Sequence, residues 1–323
     1  MRLLFLLVSF FAAIWGDIAV GQDYPSRPVK IIVTFPAGGA SDIVARVFAE
    51  RLSELWKQQV IVENRVGGGG SIGTEAAYRA EPDGYTLLLA SSTQIINQIL
   101  IPTLPFAFTR DFPALGIVAA APMMIAVHPS VPASDLKELT AMLKAAPGKH
   151  DYTACNMASP YHFAMEMYKQ AMGVFAVHIP HRGCGPATTD AVAGHIKIVV
   201  TNLPAALPFM KQGRLRPIAL MSRERSPAVP DVPTMRESGI PQLKDYYLES
   251  YYGFMATPRT PVAIVTKVET DIRNLAARPE LRKRLEGAGL DMLVLESAAM
   301  MNLMRADAEK YSLVARQAGI KVE

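Results

Sequence analysis

Apolar, β-branched runs alternate along this chain with amphipathic stretches, and that alternation limits the fold more than any other feature. A strand–helix–strand order broken by glycine and proline builds a mostly parallel sheet covered by helices, an α/β architecture. Residues 29–35 form the first such run and predict a buried strand. Pro36-Ala37-Gly38-Gly39-Ala40 is a turn, and residues 41–56 predict a helix. In that helix Val44, Val47, Phe48, Leu52 and Leu55 recur at three- and four-residue spacing, giving one apolar face. Asp42 falls in its first turn, where a negative charge suits the helix dipole.

The same grammar continues. Strands are predicted at 60–62, 85–90, 152–154, 174–179, 196–200 and 251–256. Helices are predicted at 72–80, 134–145, 162–172, from Pro186 onward, 261–277 and 297–318. Residues 67–71 and 91–94 read as loops, and 222–245, rich in proline and charge, as connecting structure. With 323 residues, about 150 per domain predicts two domains. An apolar segment at 119–128 leads into the second, and the strand at 251–256 returns to the first. The expected division is 24–120 plus 253–323 for one domain and 121–252 for the other.

The N-terminus reads as an export signal over residues 1–21. Arg2 precedes a run of about a dozen apolar residues, too short to span a bilayer, and Ala19-Val20-Gly21 suits cleavage. No Cys follows that run, so no bacterial lipid anchor is expected. A net charge of +4 is dispersed, and its densest run, Arg282-Lys283-Arg284, lies within a helical pattern. That is a solvated face and not a nucleic-acid footprint, which needs a basic stripe with stacking aromatics. The two cysteines, Cys155 and Cys184, could pair in an oxidising compartment, although sequence does not show that their geometry permits it.

Catalytic signatures are sparse. Gly68-Gly69-Gly70-Ser71-Ile72-Gly73 satisfies G-x-G-x-x-G between a strand and a helix. The acid that a dinucleotide fold wants after the next strand is missing at Leu89-Ala90-Ser91. A tight turn needing positive φ explains the glycines better. G-x-S-x-G and H-E-x-x-H are absent, and His178 and His181 straddle a strand end, where their rings need not converge. No cofactor, metal site or catalytic residue is expected. Four small polar loops remain, each between a strand and a helix: 36–41, 91–94, 155–159 and 182–186. In open α/β sheets ligands sit beyond the carboxyl ends of the strands, where helix N-termini attract anions. Such loops in an exported two-domain chain favour binding over catalysis.

At these loops the chain resembles the periplasmic receptors of the tripartite tricarboxylate transporter system, the Bug receptors. The resemblance covers nearly all of the mature chain. It begins at Tyr24-Pro25-Ser26-Arg27-Pro28 and runs through Phe35-Pro36-Ala37-Gly38-Gly39-Ala40-Ser41-Asp42, Glu63-Asn64-Arg65 and Pro82-Asp83-Gly84-Tyr85-Thr86. It continues with His128-Pro129-Ser130-Val131-Pro132, Asn202-Leu203-Pro204-Ala205-Ala206-Leu207-Pro208 and Pro230-Asp231-Val232-Pro233-Thr234. Each piece is modest, and the ordered set is specific.

The resemblance implies a two-lobed periplasmic binding-protein fold, type II-like, that closes like a hinge on a small carboxylate. The ligand is then delivered to a membrane permease with a large and a small subunit. Di- and tricarboxylates, acidic amino acids and aromatic acids are the family's ligands. A monomer is expected, with no nucleic-acid partner. The implied ligand-binding residues are Phe35, Ala37, Gly38, Gly39, Ser41 and Asp42 in the first loop and Ser91, Ser92 and Thr93 in the second. In the other lobe they are Cys155, Ser159 and His162, then Arg182, Gly183, Gly185, Pro186 and Ala187, then Thr201 and Asn202. Both cysteines should face the cleft, where a disulfide could brace it. Met157 and Tyr161 are bulkier than the family's usual small loop residues, and Thr201 stands where Asp is frequent. Thr201 cannot pair with a cationic amino group, which favours plain or aromatic acids over acidic amino acids. A sensor that signals through a membrane partner, or less readily a cleft hydrolase or dehydrogenase, is the alternative.

Overall fold

The computed structural model describes residues 24–320, so the expected export signal lies outside the described residues. Two sheets organise the chain. The first holds β1 (Val29–Val33), β2 (Val60–Asn64), β3 (Thr86–Ser91), β4 (Ala114–Ala121), β10 (Ser250–Ala256) and β11 (Asp291–Leu295), in the order β11-β4-β10-β3-β1-β2. The second holds β5 (Met123–Val127), β6 (Asp151–Ala154), β7 (Val177–Pro180), β8 (Ile198–Asn202) and β9 (Arg216–Leu220), in the order β7-β6-β8-β5-β9. Each sheet centres one lobe.

β1 runs parallel to β2 and β3, and β6 runs parallel to β7 and β8. The sheets are nevertheless mixed. β10 is antiparallel to β3 and β4, β5 is antiparallel to β8 and β9, and β11 is antiparallel to β4. The cause is the double crossing between lobes. The chain leaves the first sheet through β4, passes Pro122 and enters the second as β5. It returns through β9 into β10, which must run against β4, with Ser250 opposite Ala121. The bridge is pinned where the Met221 N–H donates to the Met123 carbonyl (2.7 Å) and the Leu248 N–H to the Met221 carbonyl (2.8 Å).

Helices cover both sheets. In the first lobe they are α1 (Ala40–Trp56), α2 (Ser71–Tyr78), α3 (Ser92–Leu100) and the short α4 (Phe108–Asp111). In the second they are α5 (Leu136–Ala145), α6 (Pro160–Met172), α7 (Cys184–Val192) and α8 (Leu203–Lys211). Last come α9 (Val262–Ala276), α10 (Pro279–Gly287) and α11 (Ser297–Ala318). α1 buries Val44, Val47, Phe48 and Leu52 as expected, but Leu55 is exposed and Trp56 is buried instead. The Trp56 indole N–H donates to Asp271 (2.7 Å), and this contact with α9 turns the last turn of α1. α11 packs on α3 and β4 of the first lobe and on α6 of the second, with Tyr311 edge-on to Phe163 (5.4 Å), so it straddles both lobes. Among the described residues no helix is long and apolar enough to cross a membrane.

Some elements differ from the sequence reading. Residues 91–94 are not a loop. Ser91 caps α3, its hydroxyl accepting from the Thr93 N–H, while the Gln94 side chain accepts from the Ser91 N–H (2.7 Å). This is a capping box ahead of Ile95 and Ile96, so the polar residues start the helix. α8 was also unread, because two prolines lie within nine residues. Pro204 is in the first turn, where its missing N–H costs nothing, and Pro208 follows one turn later.

Candidate functional site

Five helices begin at one cleft between the lobes: α1 and α3 from the first, and α6, α7 and α8 from the second. The cleft encloses about 280 Å³. It sits beyond the carboxyl ends of β1, β3, β6, β7 and β8, where an α/β sheet presents its loops. The first-lobe wall is made by residues 35–41, Ser91, Thr93, Ser250 and Tyr252. The second-lobe wall is made by Cys155, Asn156, Ser159, Tyr161, residues 182–186, Thr189, Asn202, Pro204, Ala205 and Phe209.

The helix N-termini are not equivalent. Ser91 caps α3, Ser159 caps α6 through the His162 N–H (3.3 Å), and Asn202 caps α8 through the Ala205 N–H (2.9 Å). α1 starts at Gly39 and α7 at Gly183, and neither receives a side-chain cap. A helix's first N–H groups have no intrahelical acceptor, and its dipole places partial positive charge there. The cleft therefore carries two uncapped positive helix ends, one from each lobe. Among the described residues on its wall, Arg182 is the one ionised side chain, and no carboxylate is present.

Fourteen of the expected residues lie on this wall: Phe35, Ala37, Gly38, Gly39, Ser41, Ser91, Thr93, Cys155, Ser159, Arg182, Gly183, Gly185, Pro186 and Asn202. Five do not. Asp42 is buried beneath its loop, accepting from the Gly38 N–H (2.9 Å), Arg46 Nε (2.8 Å) and Asn64 Nδ2 (2.9 Å). It shapes the loop. Burial pushes its carboxyl up, but those three donors and the Arg46 charge outweigh burial and hold it below the usual range. Ser92 is fully buried behind the wall, and Ala187 packs in the core of the second lobe. His162 is buried with its Nδ1 accepting from the Ala158 N–H (3.3 Å), so it supports the loop from behind. Thr201 is fully buried against Thr188 (Oγ1 to Oγ1, 2.8 Å). Neighbours in a strand point to opposite faces, so Asn202 reaches the cleft and Thr201 does not. Thr201 therefore faces no ligand, and the expectation against an amino group loses the residue from which it was drawn.

Sulfur atoms of Cys155 and Cys184 are bonded, with their Cα atoms 4.0 Å apart, and both residues line the cleft. The bond ties the end of β6 to the first residue of α7, and the Gly183 N–H donates to the Cys155 carbonyl (2.5 Å). The glycine-rich turn is not on the wall but behind it. Gly70 (φ +101°) leaves room for Thr34 and for the ring edge of Phe35, which is. Among the described residues no group of three or more His, Cys, Asp or Glu side chains is placed to hold a metal ion.

Ser250, Tyr252, Thr189 and Phe209 were not anticipated. Helical spacing could have found two of them: Thr189 follows Gly185, and Phe209 follows Ala205, by four residues. Tyr161 was noticed only for its bulk. It lies on the cleft wall, where the Asn202 amide donates to the Tyr161 hydroxyl (3.3 Å) and to Cys184 Sγ (3.1 Å). The Tyr161 hydroxyl in turn lies 3.5 Å from that of Tyr252, across the lobe boundary.

Two lobes joined by two crossing segments, with a cleft of helix N-termini between them, make up the two-lobed fold of the periplasmic binding proteins. The solved BugD periplasmic binding protein is similar, with a TM-score of 0.84 and 28% identity over 93% of this chain and 100% of that one. The Rhodopseudomonas palustris protein Rpa4515, solved with adipate, gives 0.86 and 28% over 93% and 99%. The protein BugT of Bordetella pertussis is 31% identical over all of this chain and 99% of its own length. The profile of the tripartite tricarboxylate transporter family receptor, TctC, matches residues 44–320. The chain belongs to that family of solute-binding receptors, which is not a family of enzymes.

Proposed function

We propose that this receptor captures a small carboxylate in the periplasm and hands it to a tripartite tricarboxylate-type permease with a large and a small membrane subunit. One observation carries the ligand assignment: the uncapped N-termini of α1 and α7 line the same cleft from opposite lobes, beside Arg182. Each offers unpaired N–H groups and positive dipole charge to an anion. A carboxylate touching both is held fully only when the lobes are close, so binding shifts the population toward the closed form. The adipate of the similar Rhodopseudomonas palustris protein accords with this chemistry. Residues 1–21 serve as the export signal, and the receptor acts as a monomer.

Thermal unfolding against a panel of mono-, di- and tricarboxylates, amino acids and nicotinamide cofactors tests the reading. A ligand at about 100 times its Kd adds about 2.7 kcal/mol of stability. A selective rise in Tm with carboxylates, reduced in Arg182→Gln, is expected. A rise with neutral compounds alone would overturn the assignment.

A further inference from the structure

Ala158 holds a backbone conformation that a residue with a Cβ rarely adopts. Its φ is +54°, in the left-handed region, where a Cβ crowds the following carbonyl oxygen and glycine settles freely. Lys57 and Arg259 are the other described non-glycine residues with positive φ, and Lys57 ends α1, a usual place for that conformation. Ala158 lies instead in the loop after β6, whose Cys155, Asn156 and Ser159 line the cleft. Strained backbone persists where its surroundings over-determine it.

Here those surroundings centre on His162, in the first turn of α6. The Ala158 N–H donates to His162 Nδ1 (3.3 Å), and both residues are buried. An accepting Nδ1 puts the ring's proton on Nε2, which faces the Glu166 carboxylate (3.6 Å) one turn further along α6. Glu166 is itself fixed by Tyr152 (2.8 Å) and Lys169 (2.6 Å), and His178 stacks on the His162 ring (centroids 4.1 Å). Two further bonds tie the loop, from Ser159 Oγ to the Asn156 carbonyl (2.7 Å) and from the Gly183 N–H to the Cys155 carbonyl. Neither reaches the Ala158 backbone. Without His162 as acceptor its buried N–H would go unpaired, unless Ala158 turned out of the left-handed region and reshaped the loop.

Resting on the receptor reading above, we infer that His162 is a positioning residue: its ring, oriented by Glu166, keeps Ala158 left-handed and so holds residues 155–159 in the shape that receives the carboxylate. His162→Phe keeps a ring against His178 but removes the acceptor. Hydrogen exchange at the Ala158 amide of the ligand-free variant should then speed up by about tenfold. His162→Asn places an amide oxygen near the position of Nδ1 and should exchange like the parent. Calorimetric titration with adipate, benzoate and citrate as probes gives the second readout, since apparent affinity falls with the fraction of molecules whose loop is competent. The tightest of the three should bind His162→Phe about tenfold more weakly, and His162→Asn within about threefold of the parent. Glycine holds a positive φ without support, so Ala158→Gly alone should bind within about threefold, and added to His162→Phe it should restore most of the lost affinity. Parent-like exchange and binding in His162→Phe would overturn this inference and leave the receptor reading standing. Loss in His162→Phe that neither His162→Asn avoids nor Ala158→Gly restores would also overturn it, since the ring then serves packing alone. Should His162→Phe fail to fold, the double variant with Ala158→Gly should fold and bind, and its failure would sink the idea. Should none of the three probes bind the unaltered protein, the receptor reading loses its support, while the exchange rates still decide whether His162 holds the loop.

Discussion

Cys155, just past the end of β6, is bonded to Cys184, the first residue of α7, so one covalent link holds two loops of the cleft wall in register. The link spans 29 residues. Closing a loop of that size stabilises a domain by about 2–4 kcal/mol in the chain-entropy account. Cys155→Ser with Cys184→Ser should lower the urea-unfolding free energy by about that amount. It should also weaken carboxylate binding, because the α7 N-terminus loses its anchor. Alkylation under denaturing, non-reducing conditions should leave the mass unchanged, and reduction should then add two groups. Two additions without reduction would contradict the bond.

The sequence made the strand-to-helix loops legible because each combines a short apolar run with Gly, Pro or Ser before a periodic stretch. Residues 36–41 and 182–186 lie on the cleft wall for that reason. Depth was less legible. Asp42 and His162 sit one residue or one turn from wall positions, and only packing shows that they hold the wall from behind. Ser250 and Tyr252 were beyond reach. They enter the cleft because β10 returns antiparallel between β3 and β4, a long-range pairing that no local spacing announces.

Asp42→Asn removes a charge that accepts from the Gly38 N–H, Arg46 and Asn64. Hydrogen bonds to a charged group contribute roughly 1.5–3 kcal/mol, and the variant should lose about that much at pH 7. Carboxylate affinity should fall with it as the Gly38 turn loosens. Because the native carboxyl is held below its usual value, its contribution is complete above that value and fades as pH falls through the native one. The gap between variant and parent in urea midpoint should therefore narrow at acid pH.

His178 stacks between His162 (centroids 4.1 Å) and Tyr152 (4.9 Å), and its Nε2 is buried without a partner. Burial, reinforced by His162, lowers it from 6.5 to about 3. The unfolded chain then binds the extra proton between pH 6.5 and about 3, so stability is complete above pH 6.5 and declines across that window on acidification. Nearby, Glu166 accepts from Tyr152 (2.8 Å) and Lys169 (2.6 Å). Burial opposes its charge, but these partners and His162 bring it to about 2, which adds a further loss below pH 4.5. His178→Phe keeps an aromatic ring in the stack. It should flatten the decline of Tm between pH 6.5 and 4.5 while leaving the steeper fall below pH 4.5. An unchanged slope above pH 4.5 would assign the acid sensitivity elsewhere.

Gly73, the last glycine of the G-x-G-x-x-G run, is required for packing. A Cβ there would meet the Arg65 carbonyl at 2.7 Å and Thr34 Cγ2 at 3.0 Å. The carbonyl is backbone and cannot swing aside, so relief must come from moving α2 away from β1. Overpacking of this kind costs about 1–3 kcal/mol. It would displace Thr34, the neighbour of Phe35 on the cleft wall. Gly73→Ala should therefore lower the urea midpoint and weaken carboxylate binding together. Gly287 at the end of α10 has open space around its Cβ position and no left-handed φ, so Gly287→Ala should be neutral or stabilise by about 0.4–1 kcal/mol. Equal effects of the two substitutions would show that close approach is not what the glycine at 73 provides.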